Sequence, residues 1–318
     1  RAWSGLVFAP HQESAFAFRT RIERGTDIAD EHDIFYLISE VGPHSPDGLY
    51  ARIKVDLSLP FKLERETPIL IKPSPKSETL VLEWSRKDER TAVGRIKVPE
   101  GKKIHLVHYF PWNFKGRYSI LPDGQIKGES EDSRKYHYFL WTYPKGDLIT
   151  DSQGEELILN FSMEEERTLY FVAGVSEQPE PLEAHIDRYK NRRTIDSILS
   201  DEEEVYKKKR LRTEGLFKGA AEAITNNLFW MTLYQPGHHR LYTPAGRRWI
   251  FPAPDKSLDH WTIFEWDSFF NALEASLESS KHAKDITRSV LETQYPNGNI
   301  PNWRGRFGGT PDRSQPPV

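Results

Sequence analysis

The spacing of apolar residues changes character once along this chain, and that change constrains the fold more than any other feature. Up to residue 178 apolar positions alternate or form short runs, the period-two pattern of strands with a buried face. Such segments lie at 15–19, 33–41, 49–57, 68–72, 79–84, 92–98, 104–110, 117–121, 135–141, 156–161 and 168–174. Turn signals such as Pro46-Asp-Gly48, Pro122-Asp-Gly124 and Pro144-Lys-Gly146 separate several of them. Regularly spaced short strands without helical stretches between them predict an antiparallel β-sandwich over residues 1–178.

The stretch Glu177-Gln-Pro-Glu-Pro-Leu182 is a Pro-punctuated boundary. Residues 179–212 beyond it are densely charged, with Ile186, Tyr189, Ile195, Ile198, Leu199 and Tyr206 at roughly helical spacing, and read as a charged, partly helical linker. From residue 213 the period becomes helical. Leu216, Phe217, Ala220, Ile224, Leu228 and Met231 mark a first helix, ended by Gln235-Pro-Gly237. Trp266, Phe269, Phe270, Leu273 and Leu277 mark a second, and Ala283, Ile286, Val290 and Leu291 a third. Long aromatic loops precede the second helix and follow the third, while the second and third are joined by a short turn. Alternating long and short connections put the long loops at one end of a helical ring.

Composition removes several classes of function. Net charge is −3 with acidic and basic residues interspersed, so neither nucleic acid nor a membrane surface is expected as a partner. The basic run Lys207-Lys-Lys-Arg-Leu-Arg212 follows the acidic Asp201-Glu-Glu-Glu204 and reads as a solvated helix face. The chain has no cysteine, which excludes disulfides, thiol catalysis and Cys-ligated metal. The pairs His238-His239 and His105-x-x-His108 lack a third ligand, and neither a phosphate loop nor a Gly-x-Ser-x-Gly elbow occurs, so no metal or cofactor is expected. No segment approaches the roughly 20 apolar residues of a membrane span, and Arg1-Ala-Trp-Ser-Gly carries no signal-peptide pattern. This suits a cytoplasmic protein and is compatible with a periplasmic or secreted one.

The residues that carry chemistry lie in the helical part. Glu265-Trp-Asp-Ser-Phe-Phe270 is followed by the loop Asn299-Ile-Pro-Asn302-Trp303 and then by Gly308-Gly-Thr-Pro-Asp-Arg-Ser-Gln-Pro-Pro317. Aromatic residues make up 12% of the chain, nine of them Trp, and Trp faces stack on the C–H surfaces of sugars. In these elements and their order, residues 213–318 resemble the family 63 glycoside hydrolases of the (α/α)6-toroid clan, which includes trehalases and mannosylglycerate and glucosylglycerate hydrolases. The resemblance implies a β-sandwich followed by the first part of an all-α (α/α)6 toroid, incomplete within 213–318. It makes Asp312 the general acid that protonates the leaving glycosidic oxygen. Trp266 and Asp267 would bind the cleaved sugar, with Asn302, Trp303, Arg313, Gln315 and Trp249 as further substrate contacts. An acid in this role must stay protonated near neutral pH, which burial in an aromatic pocket favours.

Structural roles are open for the same residues. The spacing of Trp266, Phe269 and Phe270 is that of helix core, Asp312 after Pro311 suits a helix cap, and Trp249 and Trp303 can pack a ring as well as a sugar. Family members invert, which needs a second carboxylate acting on water roughly 6.5–9.5 Å from the acid. The resemblance puts that base in later helices. A twelve-helix ring at about 11–12 residues per helix, plus loops, needs upward of about 200 residues, whereas about 105 follow residue 212. The expectation is therefore an exo-acting, inverting hydrolase of α-linked glucosides or mannosides. Its substrate would be an oligosaccharide or small glycoside, with a polypeptide continuation or second chain completing the ring. The competing readings are a carbohydrate-binding or scaffolding protein, and a toroid enzyme on another linkage, such as a rhamnosidase or lyase.

Overall fold

Strands with one apolar face must bury it against another layer, and two antiparallel sheets do so here. The computed structural model describes residues 5–11, 14–24, 27–28, 34–41, 50–61, 79–88, 91–110, 115–131, 135–150, 156–163, 167–209, 211–221, 224, 228, 232–235, 240–243, 262–305 and 308–310. In chain order the strands of this region are β1 (Gly5–His11), β2 (Ser14–Arg24), β3 (Asp27–Ile28), β4 (Ile34–Val41), β5 (Tyr50–Phe61), β6 (Thr79–Arg86) and β7 (Thr91–Lys97). They continue with β8 (Ile104–Tyr109), β9 (Gly116–Ile120), β10 (Ile126–Ser130), β11 (His137–Tyr143), β12 (Asp147–Thr150), β13 (Leu157–Phe161) and β14 (Thr168–Ser176). One sheet runs β1-β2-β8-β13-β12 with β3 on β2; the other runs β4-β5-β6-β7-β14-β11-β10-β9. The expected strand at 68–72 lies outside the described residues. Strands β1, β3, β10 and β12 were not separated by the sequence pattern, being short or interrupted.

Between the sheets Leu6, Phe16, Phe18, Ile104, Leu106, Leu159 and Phe161 meet Leu80, Leu82, Ile96, Tyr138, Leu140 and Phe171. Each fully buried Leu, Ile or Phe contributes about 1.5–3 kcal/mol through removal from water. The packing leaves no slack at Gly94. It lies opposite Phe171 across β7 and β14, and a methyl on it would collide with the Phe171 ring and the Glu83 carbonyl. His108 points into this core, its ring 6.1 Å from Phe18, 5.7 Å from Tyr118 and 6.4 Å from Tyr138. Its Nδ1 lies 3.3 Å from the Leu157 carbonyl and donates to it. Burial pushes its pKa down from 6.5 to about 3. His105, three residues earlier on the same strand, faces the other side of the sheet, so this pair does not form a metal site.

The outer face of the larger sheet is covered by helices. Residues 179–212 hold α1 (Pro179–Tyr189), which has Pro at its first turn, and α2 (Arg192–Lys209). The Asn191 side chain caps α2, accepting from the amides of Arg193 and Thr194 at 2.9 and 3.3 Å. Leu182, Ile186, Ile195, Leu199 and Tyr206 pack on Tyr50, Val93, Phe139 and Val172. Among them lies a row of polar residues set by strand register, Arg52 opposite Glu83 and Glu83 opposite Arg95. The Glu83 carboxylate, 1% exposed, accepts from Tyr50 at 2.5 Å, Arg52 at 3.1 Å and Arg95 at 2.7 Å. Burial pushes its pKa up, and the hydrogen bonds from Tyr50 and Arg95 more than offset this, leaving it below the usual range. Arg52 reaches on to Glu203 at 2.6 Å, and Arg95 and Tyr170 both reach Asp196, so α2 is held at two points two turns apart.

Beyond residue 213 the chain departs from its sequence pattern. Leu216 and Phe217 were expected to open a helix; they sit in a single 3-10 turn, Gly215–Phe217, at 92% and 72% exposure. Gly215 and Gly219 take φ of +70° and +96°, a left-handed conformation incompatible with helix. Helical backbone is found only from Ala220, at residues 220, 221, 224 and 228 of the described set. The second and third expected helices are α3 (Glu265–Ser276) and α4 (Ser280–Leu291). Five short strands were not anticipated: β15 (Leu233–Gln235), β16 (Arg240–Tyr242), β17 (Ile263–Phe264), β18 (Trp303–Gly305) and β19 (Gly308–Gly309).

Two outcomes check this packing. Gly94→Ala should lower stability by roughly 1–3 kcal/mol through overpacking, read as a reduced denaturant midpoint at unchanged slope. His108 binds its proton more weakly folded than unfolded. Its contribution is therefore complete above pH about 6.5 and declines as pH falls toward about 3. The decline should approach 1.4 kcal/mol per pH unit, and stability curves of wild type and His108→Leu should differ in slope only within that window.

Candidate functional site

Helices α3 and α4 form a tight antiparallel hairpin because the facing residues are small. Ala272 and Ala275 of α3 pack with Ile286 of α4 and with Leu228, while Ala283, Ile224 and Trp84 close the edge. Helix α4 begins with a Ser279 cap, whose hydroxyl accepts from the His282 amide at 3.2 Å. Helix α3 has no side-chain cap. Its first amide, of Glu265, instead donates to the Asn302 carbonyl at 2.9 Å, and Glu265 and Asp267 in its first turn offset the helix dipole.

That hydrogen bond joins two elements separated by a whole hairpin in sequence. Strand β17 leads directly into α3 and pairs with β18, Phe264 opposite Trp303 and Ile263 opposite Arg304. Strand β19 pairs in turn with β18. Thr310 then closes back on Trp303: its amide donates to the Trp303 carbonyl at 3.2 Å, and its hydroxyl accepts from the Trp303 amide at 3.4 Å. Gly309 must be glycine here, because a Cβ would lie 2.5 Å from the Trp303 carbonyl. The Arg304 guanidinium covers the Tyr295 ring at 4.9 Å.

Of the residues singled out from sequence, Trp266, Asp267, Asn302 and Trp303 are thereby brought to one place. Trp266 and Asp267 are exposed on the first turn of α3, and Asn302 and Trp303 are half-buried beside it. Trp249, Asp312, Arg313 and Gln315 lie outside the described residues. Trp266 forms a tilted pair with Phe270, ring centroids 5.8 Å apart, and the two are 46% and 54% exposed. Their spacing reads as helix core, but the structure turns both toward solvent. An exposed carboxylate beside exposed aromatic faces can hold a polyol, accepting from hydroxyls while the rings take the C–H surface.

A second network, not anticipated from sequence, anchors the β15–β16 hairpin to α4. Thr232 donates to the Leu228 carbonyl at 2.9 Å and lies 3.1 Å from the Thr243 hydroxyl, which lies 3.0 Å from His282 Nε2. With the Thr232 proton committed, Thr243 donates to Thr232 and His282 Nε2–H donates to Thr243. Burial pushes the His282 pKa down to about 4. Asp285 accepts from the Leu241 amide at 3.2 Å and from Lys281 at 2.6 Å, and Arg240 pairs with Glu292 at 2.6 Å. Among the described residues no group of three or more His, Asp or Glu is placed to hold a metal ion, and no helix is long and apolar enough to cross a membrane.

No family model matches the chain, and no curated protein sequence matches it. Among solved structures, a bacterial glucoamylase complexed with acarbose is similar over 96% of this chain, with TM-score 0.54 and 11% identity. A GH92 inverting mannosidase from Bacteroides thetaiotaomicron is similar over 73% of this chain and 39% of its own, with TM-score 0.35 and 12% identity. The glucoamylase likeness is one of fold. The chain shares the fold of that glucoamylase and spans about half of it, 49% of that chain.

Asp285→Ala should loosen β16 on α4. The expected cost is about 1–3 kcal/mol for the unpaired amide, together with faster hydrogen exchange at Leu241 and unchanged exchange in the sheets.

Proposed function

We propose that this chain carries the β-sandwich and first part of the (α/α)6 catalytic domain of an exo-acting, inverting glycoside hydrolase. It resembles family 63, and its substrates are α-linked glucosides or mannosides. The observation that carries the reading is the convergence of three separate motif elements. Glu265 is bonded to Asn302, Trp303 is paired with Phe264, and Thr310 is closed onto Trp303. A fold shared with a glucoamylase supports the α-glucoside class.

In this reading Asp312 is the general acid. Only Pro311 separates it from Thr310 in sequence. It gives its proton to the glycosidic oxygen as the C–O bond breaks. Water attacks the anomeric carbon from the opposite face and yields its proton to a second carboxylate, which inversion requires. Asp267 accepts hydrogen bonds from hydroxyls of the cleaved sugar, and Trp266 and Trp303 offer it apolar faces. Asn302, Arg313, Gln315 and Trp249 supply further contacts. The base comes from polypeptide that completes the ring, as a continuation or a second chain.

The test uses that completed polypeptide. Asp312→Asn should lower kcat on α-glucosides or α-mannosides by about 10²–10⁴-fold with sugar binding retained. NMR of the first-formed product should show the inverted anomer. Unchanged turnover would remove Asp312 from the acid role, and retained configuration would refute single displacement. Sugar binding without wild-type turnover would make the protein a binding module.

A further inference from the structure

Helix α3 buries its small side chains and exposes its large ones. Trp266, Phe270, Leu273 and Leu277 are 46%, 54%, 66% and 54% exposed. They fall at positions four, three and four residues apart, which is one stripe along about three turns of helix. The opposite face, with Ser268, Ala272 and Ala275, is the buried one. A helix whose partners were α4 and Leu228 alone would have its apolar faces the other way round, and proteins rarely leave a contiguous apolar strip of this kind in water.

The charges around the strip say what kind of surface covers it. From Glu265 to Leu277 the helix carries Glu265, Asp267 and Glu274 and neither Lys nor Arg. At 3.6 residues per turn Asp267 and Glu274 share one flank of the stripe, and both are exposed. The neighbouring helix α4 offers a poor complement in a second copy of this chain. The outward face of α4 is basic, with Lys284 and Arg288, but Leu291 is its one large apolar side chain exposed, at 49%.

We infer that the Phe270-Leu273-Leu277 part of this stripe, which lies beyond the Trp266 and Asp267 assigned to the sugar, is the seat of an amphipathic helix whose apolar face is flanked by Lys or Arg. That helix is supplied by the part of the glucoamylase-like fold that this chain does not span. The inference rests on the toroid reading above and names the surface where the remainder of the ring docks. It is independent of whether Asp312 is the acid.

Two synthetic helices of about 18 residues, five turns long, with one Leu stripe flanked by Lys in one and by Glu in the other, are titrated against the 318-residue chain by fluorescence anisotropy. The Lys-flanked peptide should bind at least roughly tenfold more tightly than the Glu-flanked one. A Leu273→Gln, Leu277→Gln double variant with an unchanged circular dichroism spectrum should lose that binding. Equal binding of the two peptides, or binding unaffected by the double variant, would overturn the inference. So would a concentration-dependent dimer, seen by sedimentation and abolished by the same variant, because it would give the seat to a second copy. The readout involves neither turnover nor Asp312, so a preference for the basic helix stands even if hydrolysis fails.

Discussion

The buried carboxylate of Glu83 is the interaction on which the rest of the molecule depends. It sits between two guanidiniums in register across β5, β6 and β7, and through them it reaches Glu203 and Asp196 on α2. A single charge with one partner would be costly there, since taking one ion out of water costs several kcal/mol. Three donors make the arrangement tolerable and at the same time directional. Helix α2 docks where Glu203 meets Arg52 and Asp196 meets Arg95. The next residue on β6, Trp84, points the other way and packs against both the intersheet core and the small core of the α3–α4 hairpin. Adjacent side chains of one strand therefore couple the sheets to the helices on either side.

The candidate site is built on that frame with little regular structure of its own. Helix α2 ends at Lys209, and two residues on the Leu211 amide donates at 3.1 Å to Glu278, just past the end of α3. From there the hairpin positions the first turn of α3, and three very short strands bring the chain beyond α4 back beside it. Irregular backbone carrying functional groups on a rigid scaffold is the common arrangement of binding sites. Here the rigidity comes from backbone hydrogen bonds to Asn302 and Trp303 rather than from a packed core.

Much of this architecture is legible in the residues themselves. The alternating pattern marks most of the long strands, and helical spacing marks α3 and α4 almost to their ends. What spacing cannot assign is direction. The stripe from Trp266 to Leu277 has the period of a buried helix face, and it is exposed because Ala272 and Ala275 let α4 approach on the other side. Likewise the period over Leu216 and Phe217 suggests a helix that Gly215 and Gly219 interrupt with positive φ. The terminal loop gives no sign of strand, since β18 and β19 are three and two residues long and exist only through pairing. The His282–Thr243–Thr232 chain is equally hidden, being three polar residues from different elements.

By itself, then, the sequence determined where most of the long strands and the two helices of the hairpin lie, because periodicity and turn residues act over a few neighbours. It also named the aromatic and acidic residues gathered around the start of α3. Only the tertiary structure decided which faces are covered and which motif elements touch. Those outcomes depend on contacts between residues far apart in the chain, such as Glu83 with α2 or Asn302 with Glu265, and no local pattern encodes them.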